Sequence, residues 1–191
     1  MNIFDKKFLW DHRVWWLAGG IVLVAGVAVW LVLRATMPIG QLLAKARVQV
    51  TAGDLNQAAA TYRQLNIRLP KGYVGHYEAG HVYNDLGLYD AAAEEWWIAI
   101  NNGHEDYTNV YYELGDLYGA HPETPGRDKF EKYMTDLATK DPKNIHYPLV
   151  LGNFYEAIGN TDKAIEYFEK VVALNPNNQA AKDELTRLKN G

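Results

Sequence analysis

The chain has no cysteine, which rules out disulfides, thiolate metal sites and a cysteine nucleophile. That absence fits any compartment and leans toward an oxidising one. Asn-x-Ser/Thr sequons are missing as well, and so are a glycine-rich phosphate loop and a GxSxG elbow. His104-Glu105 begins an HExxH but lacks its second histidine. His76 and His81 stand five apart, not the three or four that place two ligands on one helical face. Neither catalysis, nor a bound metal, nor a cofactor is therefore expected.

Charge is missing from two stretches. Val14 to Leu33, VWWLAGGIVLVAGVAVWLVL, is twenty residues without a charged side chain. At about 1.5 Å per residue a helix of this length spans about 30 Å, the thickness of a bilayer core. Eleven of the twenty are Val, Leu or Ile, worth on the order of −3 to −6 kcal/mol for insertion. Trp10, Trp15, Trp16 and Trp30 sit where interfacial anchors belong. The stretch is expected to be a transmembrane helix, since it is too long for a cleaved signal peptide. Residues 1–13 are read as a polar tail and 34–38 as a short linker, four residues of which reach only about 14 Å. The repeats are thus expected close to the lipid bilayer. Gly19 and Gly26, seven apart, would let a second helix approach, although glycine is also simply common in membrane helices. Lys6, Lys7 and Arg13 precede the span, favouring a cytoplasmic amino terminus. The remainder would then face the periplasm of a bacterial inner membrane.

The second stretch lacks one sign only. No Lys or Arg occurs between Lys71 and Arg127, whereas ten carboxylates and ten aromatics do. The first 34 residues carry a net +2, so the rest carries −6 of the total −4. That argues against nucleic acid as partner. A solvated acidic surface over an aromatic core is one reading. The other is an acidic rim around aromatic anchors, docking a basic or polar protein surface, with Glu94, Glu95, Glu105 and Asp106 as the patch.

Beyond the apolar stretch the chain repeats. Gly53, Ala58, Tyr62 and Pro70 recur as Gly87, Ala92, Trp96 and His104, 34 positions on. Gly80 and Tyr83 recur as Gly115 and Tyr118, then as Gly152 and Tyr155. LGNFYEAIGNTDKAIEYFEKVVALNP at Leu151–Pro176 holds the full pattern. These offsets resemble the tetratricopeptide (TPR) family over roughly Ile39 to Asn178. The expected fold is all-α: the amino-terminal transmembrane helix, then a right-handed α-solenoid of four helix pairs (39–72, 73–106, 108–144, 145–178), then a capping helix in 179–191. The turn glycines Gly53, Gly87 and Gly159 suit positive φ. Ala58, Ala92 and Ala164 permit close packing, while Tyr62, Trp96 and Phe168 fill the space between. Unit three departs: Phe130 stands in the alanine position and Met134 in the aromatic one. Its turn, within GAHPETPGRD, is longer and reads as a projecting loop, either a tolerated insertion or a partner contact.

The resemblance implies a protein-binding groove lined by the first helix of each pair. Position by position it points to Arg47, to Tyr77, His81 and Asn84, to Tyr112 and Asp116, and to Asn153 and Glu156. The family's binders of acidic chaperone tails use Lys, Arg and Asn there. Here only Asn153 and Arg47 match, so an acidic tail is a poor fit. Trp97 follows the core position by one and is either an outward anchor or covered by the next helix. The functional expectation is a membrane-anchored interaction scaffold, an accessory subunit or assembly factor of a larger membrane complex. Its partners would be other membrane-complex proteins, met through the repeats and the anchor helix. A transient client receptor is the alternative, and a cofactor-binding or enzymatic protein the remote one.

Overall fold

The computed structural model describes residues 37–103 and 108–190. The chain divides into two compact units, Met1–Leu42 and Leu43–Gly191. The tail, the expected span at 14–33 with Gly19 and Gly26, and the patch residues Glu105 and Asp106 all lie outside the described residues. Among the described residues no helix is long and apolar enough to cross a membrane.

Nine helices and no strand occupy the described residues. They are α1 (Ile39–Thr51), α2 (Leu55–Arg68), α3 (Tyr73–Asp85), α4 (Tyr89–Asn102), α5 (Thr108–Ala120), α6 (Arg127–Lys140), α7 (His146–Ala157), α8 (Thr161–Leu174) and α9 (Gln179–Asn190). Sequence neighbours pack as antiparallel pairs, and each pair leaves an apolar face that the next one covers.

The turns inside three pairs are built alike. Gly87 and Gly159 take φ of +72° and +76°. Gly87 N–H donates to the Asn84 carbonyl and Leu88 N–H to that of Tyr83, each at 2.9 Å. The same two bonds recur around Gly53 and Gly159. This is a Schellman end, in which a residue without Cβ lets the chain reverse while capping orphan carbonyls. The α5–α6 connection is built differently. His121 stacks on Tyr89 with ring centroids 3.5 Å apart, Thr124 is buried, and the Tyr118 hydroxyl donates to the Pro125 carbonyl at 3.2 Å. The expected projecting loop is therefore a strap, drawn in because Tyr118 has a buried hydroxyl that needs a partner.

The core runs along the interior of the pairs. Ala58, Ala92 and Ala164 are fully buried, and Tyr62, Trp96 and Phe168 nearly so. In the second and fourth pairs the glycine of the first helix faces the aromatic of the second. A Cβ on Gly80 would meet Trp96 Nε1 at 2.3 Å, and one on Gly152 would meet Phe168 at 3.1 Å. Gly115 instead faces Phe130, at 3.4 Å. The third pair thus supplies its aromatic from one helical turn earlier, and its helices pack less tightly than those of its neighbours. Trp97 is buried too. Its indole donates to Tyr118 Oη at 3.1 Å, its ring meets Tyr133 edge-on, and Lys129 Nζ lies 3.9 Å over it. It is packing, not an outward anchor, because α5 and α6 close over it.

A candidate protein-binding face

Residues three and four apart on a helix share a face. On α3 that periodicity lines up Tyr73, Tyr77 and His81. The tyrosine rings stack 5.6 Å apart, Tyr77 meets His81 edge-on at 4.7 Å, and His81 meets Trp96 at 5.4 Å. From α5, Glu113 reaches His81 with Oε1 and Nε2 3.7 Å apart. Tyr112, the residue before it, lies near His146 of α7, hydroxyl to Nδ1 at 3.4 Å. The first helices of successive pairs therefore present one aromatic and acidic track. Tyr77, His81 and Tyr112 are half-buried on it, and Asp116 is exposed.

Charge on this track is partly spent within the protein. Arg47 of α1 donates from Nε to both oxygens of Glu78, at 3.0 and 3.1 Å, and its Nη2 also meets that carboxylate. Tyr62 Oη donates to the same carboxylate at 2.6 Å. Arg47, Val50, Tyr62, Glu78, His81 and Val82 line a groove of about 410 Å³. Further along, Glu156 is paired with Arg187 of α9. Glu113 and Asp116 behave otherwise. Partial burial raises the Glu113 carboxyl, His81 pulls it back, and Asp116 raises it further. Partial desolvation by neighbouring side chains raises Asp116 as well, although the residue stays open to solvent. Burial, then the neighbouring Glu113 and Glu78, raises the Tyr77 phenol. A positive group arriving here would relieve all three.

The residues expected from sequence fall into three sets. Arg47, Tyr77, His81, Tyr112 and Asp116 gather on the track. Asn84, Asn153 and Glu156 lie on the same helices, half-buried. Of the proposed acidic patch, Glu105 and Asp106 lie outside the described residues, Glu94 is exposed, and Glu95 turns inward. Glu95 Oε2 accepts from Asn66 Nδ2 at 3.1 Å and lies 2.5 Å from His76 Nδ1. Its reason is physical, since a buried imidazole needs a polar partner. Glu78 and Glu113 were missed, although each directly follows a tyrosine chosen for the groove and belongs to the ten carboxylates of the cation-free stretch. Among the described residues no group of three or more potential ligands is placed to hold a metal.

Residues 149–178 match the tetratricopeptide repeat family model. No curated protein matches the chain by sequence. A tetratricopeptide repeat protein from Parabacteroides merdae superposes with a TM-score of 0.62 at 16% identity, covering 95% of this chain and 71% of that one. MamA from Desulfovibrio magneticus RS-1, residue 41 to its end, gives 0.57 at 15% identity over 78% and 82% of the two chains. YrrB, a TPR protein with an unusual peptide-binding site, gives 0.51 at 20% identity over 75% and 72%. At these identities the likeness is one of fold: the described helices form a TPR-type α-solenoid.

Proposed function

We propose that this chain is a membrane-anchored protein–protein interaction scaffold, an accessory subunit or assembly factor of a larger membrane complex, and not an enzyme. The repeats bind a basic or polar segment of a partner along the track on α3 and α5. YrrB's peptide-binding site is a precedent for such use of the fold. The observation that carries the reading is the set of Tyr77, Tyr112, Glu113 and Asp116, in a stretch where no Lys or Arg stands between Lys71 and Arg127. Aromatic faces and under-neutralised carboxylates together favour guanidinium and ammonium groups. Residues 14–33 supply the anchor, and the flanking charges put the repeats on the periplasmic side of a bacterial inner membrane.

Purifying the full chain from its host in mild detergent tests the reading. A stoichiometric companion is expected, released as salt rises from about 0.05 to about 0.5 M, because the Debye length shrinks several-fold. Reversing Glu94, Glu113 and Asp116 to lysine should abolish capture, and unchanged capture at both salt levels would count against the reading. Glu95 is left out of that set because its loss would disturb folding. Varied, substoichiometric companions would indicate a client receptor instead. Extraction by alkaline carbonate would refute the anchor, and protease protection in sealed vesicles reports the side of the membrane.

A further inference from the structure

Leu55 to Tyr77 carry three cations, Arg63, Arg68 and Lys71, and no carboxylate. The same segment holds exposed apolar side chains: Ile67 is 73% exposed, Leu69 41% and Val74 41%. Local structure gathers the two sets. α2 buries Ala58, Tyr62, Leu65 and Asn66, so Arg63 and Ile67, one helical turn apart, share its outer face. Beyond it the Gly72 N–H donates to the Leu69 carbonyl at 2.9 Å. That tight turn brings Leu69 and Lys71 to the corner where Val74 stands in the first turn of α3. Every residue from Ile67 to Lys71 is exposed. Single apolar side chains on a surface need no explanation, but a cluster rimmed by cations marks an interaction site.

Among the described residues, the carboxylates of the neighbouring helices leave this corner basic. α1 has none. Glu78 of α3 is held by Arg47 and Tyr62, and Glu95 of α4 by Asn66 and His76. Asp54, Asp85 and Asp90 stand at the other ends of α2, α3 and α4, close to the Gly53 and Gly87 turns. Glu94 lies about 12 Å of helix before Asn102, whose amide donates to the Pro70 carbonyl. α2 also runs back along α1 from the Gly53 turn, with the Thr61 hydroxyl donating to Gln49 at 2.7 Å. It therefore finishes at the end of the pair where residues 34–38 join the repeats.

We propose that the α2–α3 corner is a second membrane contact, seated in the headgroup layer of a bilayer that contains anionic lipid. Arg63, Arg68 and Lys71 meet the phosphate oxygens, while their aliphatic stems and Ile67, Leu69 and Val74 enter the boundary with the acyl chains. A lipid surface is favoured over an acidic protein because the linker joins the repeats at this end and its reach is only about 14 Å. For that proximity the inference rests on the proposed anchor. Contact here turns the Gly53 and Gly87 ends of the same helices toward water, and so fixes how the repeats are presented to a partner.

Because the chain has no cysteine, Ile67→Cys and Leu88→Cys each give the full chain one site for a fluorescent label. Leu88 is 51% exposed and follows the Gly87 turn, so it controls for the label's own affinity for lipid. In vesicles of phosphatidylcholine and phosphatidylglycerol, a lipid-borne nitroxide should quench the label at 67 at least about threefold more than that at 88. The excess should vanish in phosphatidylcholine alone, at about 0.5 M salt, and in the Arg63→Glu, Lys71→Glu double variant. Equal quenching at the two sites, or an excess that survives without phosphatidylglycerol, overturns the proposal. Shielding of the label at 67 by soluble polyglutamate but not by anionic vesicles would make the corner a protein contact and overturn it too. Flotation reads the anchor separately. A chain that floats with neutral vesicles after a carbonate wash but shows no excess at 67 keeps the anchor and loses the corner. One that floats with anionic vesicles only, and leaves them in salt, keeps the corner and loses the anchor.

Discussion

Gly80 and Gly115 occupy equivalent positions in the repeat and make opposite demands. A methyl on Gly80 would run into the Trp96 indole, which is 1% exposed and donates to the Tyr77 carbonyl at 3.2 Å. A methyl on Gly115 would meet Phe130 and Val150 at 3.4 and 3.5 Å, ordinary contact. Gly80→Ala should therefore cost about 1–3 kcal/mol through overpacking. Gly115→Ala should be neutral or gain up to about 1 kcal/mol from helix propensity. Urea midpoints of the two variants check the contrast. The periodic spacing made both glycines visible as close-packing positions in sequence, and it also placed Ala58, Ala92, Ala164 and the positive-φ turns. It could not tell the two apart, because the facing side chain comes from a helix whose register the spacing leaves open by one turn.

A second prediction at this scale concerns Tyr155. Its hydroxyl donates to Glu131 Oε1 at 2.5 Å, and Lys163 Nζ sits 2.9 Å from the same oxygen. Burial, then the hydrogen bond to Glu131, pushes the phenol up to about 12. The bonds from Tyr155 and then Lys163 hold Glu131 below its ordinary value. The signs are opposite. The Tyr155 contribution is complete below the unfolded phenol range, near about 10, and disappears as pH climbs through the folded value. The Glu131 contribution is complete above the ordinary carboxylate range and disappears on acidification. Titrating tyrosinate absorbance should show one phenol ionising near 12 in the native protein and absent from Tyr155→Phe.

At the scale of elements, the α5–α6 connection is where the sequence misled. Two prolines and two glycines in GAHPETPGRD argue for an outward loop. What composition cannot show is that Tyr118, at a repeat core position, buries a hydroxyl that accepts from Trp97 and donates to the Pro125 carbonyl. The strap, the inward Trp97 and the inward Glu95 share one cause. Each side chain is fixed by a partner from a different helix, and helical periodicity carries no such information. Tyr118→Phe should cost about 1–3 kcal/mol, since it leaves the buried Trp97 N–H unpaired. Gly126→Ala should be worse. It combines φ of +105° with a Cβ 2.6 Å from Tyr118 Oη. Thermal unfolding ranks the two, and exchange at Thr124 reports whether the strap has lifted. If Tyr118→Phe left the thermal midpoint and Thr124 exchange unchanged, the strap would be incidental to the fold.

Across the whole molecule, charge is divided by position along the chain. Leu43 to Gly126 carry five Lys or Arg against eleven Asp or Glu, whereas Arg127 to Gly191 carry ten of each. In the balanced half several cations are paired, among them Lys132 with Asp136, Lys170 with Glu166 and Lys189 with Glu169. In the acidic half Arg47 is taken by Glu78, and Glu94, Glu113 and Asp116 gain no cation from the cation-free stretch around them. Like charges within a Debye length repel, and salt weakens both that repulsion and the attraction of exposed pairs. The halves should respond oppositely. Between about 0.01 and about 0.5 M salt at neutral pH, exchange protection should rise in α3–α5 and stay level or fall slightly in α6–α9. A partner carrying Lys or Arg should reproduce the salt effect on α3–α5 at low ionic strength and lose that ability at high ionic strength. If protection rose equally in all helices, self-repulsion of the acidic half would not be what the missing cations cost. The track on α3 and α5 would then have no electrostatic preference for a basic partner.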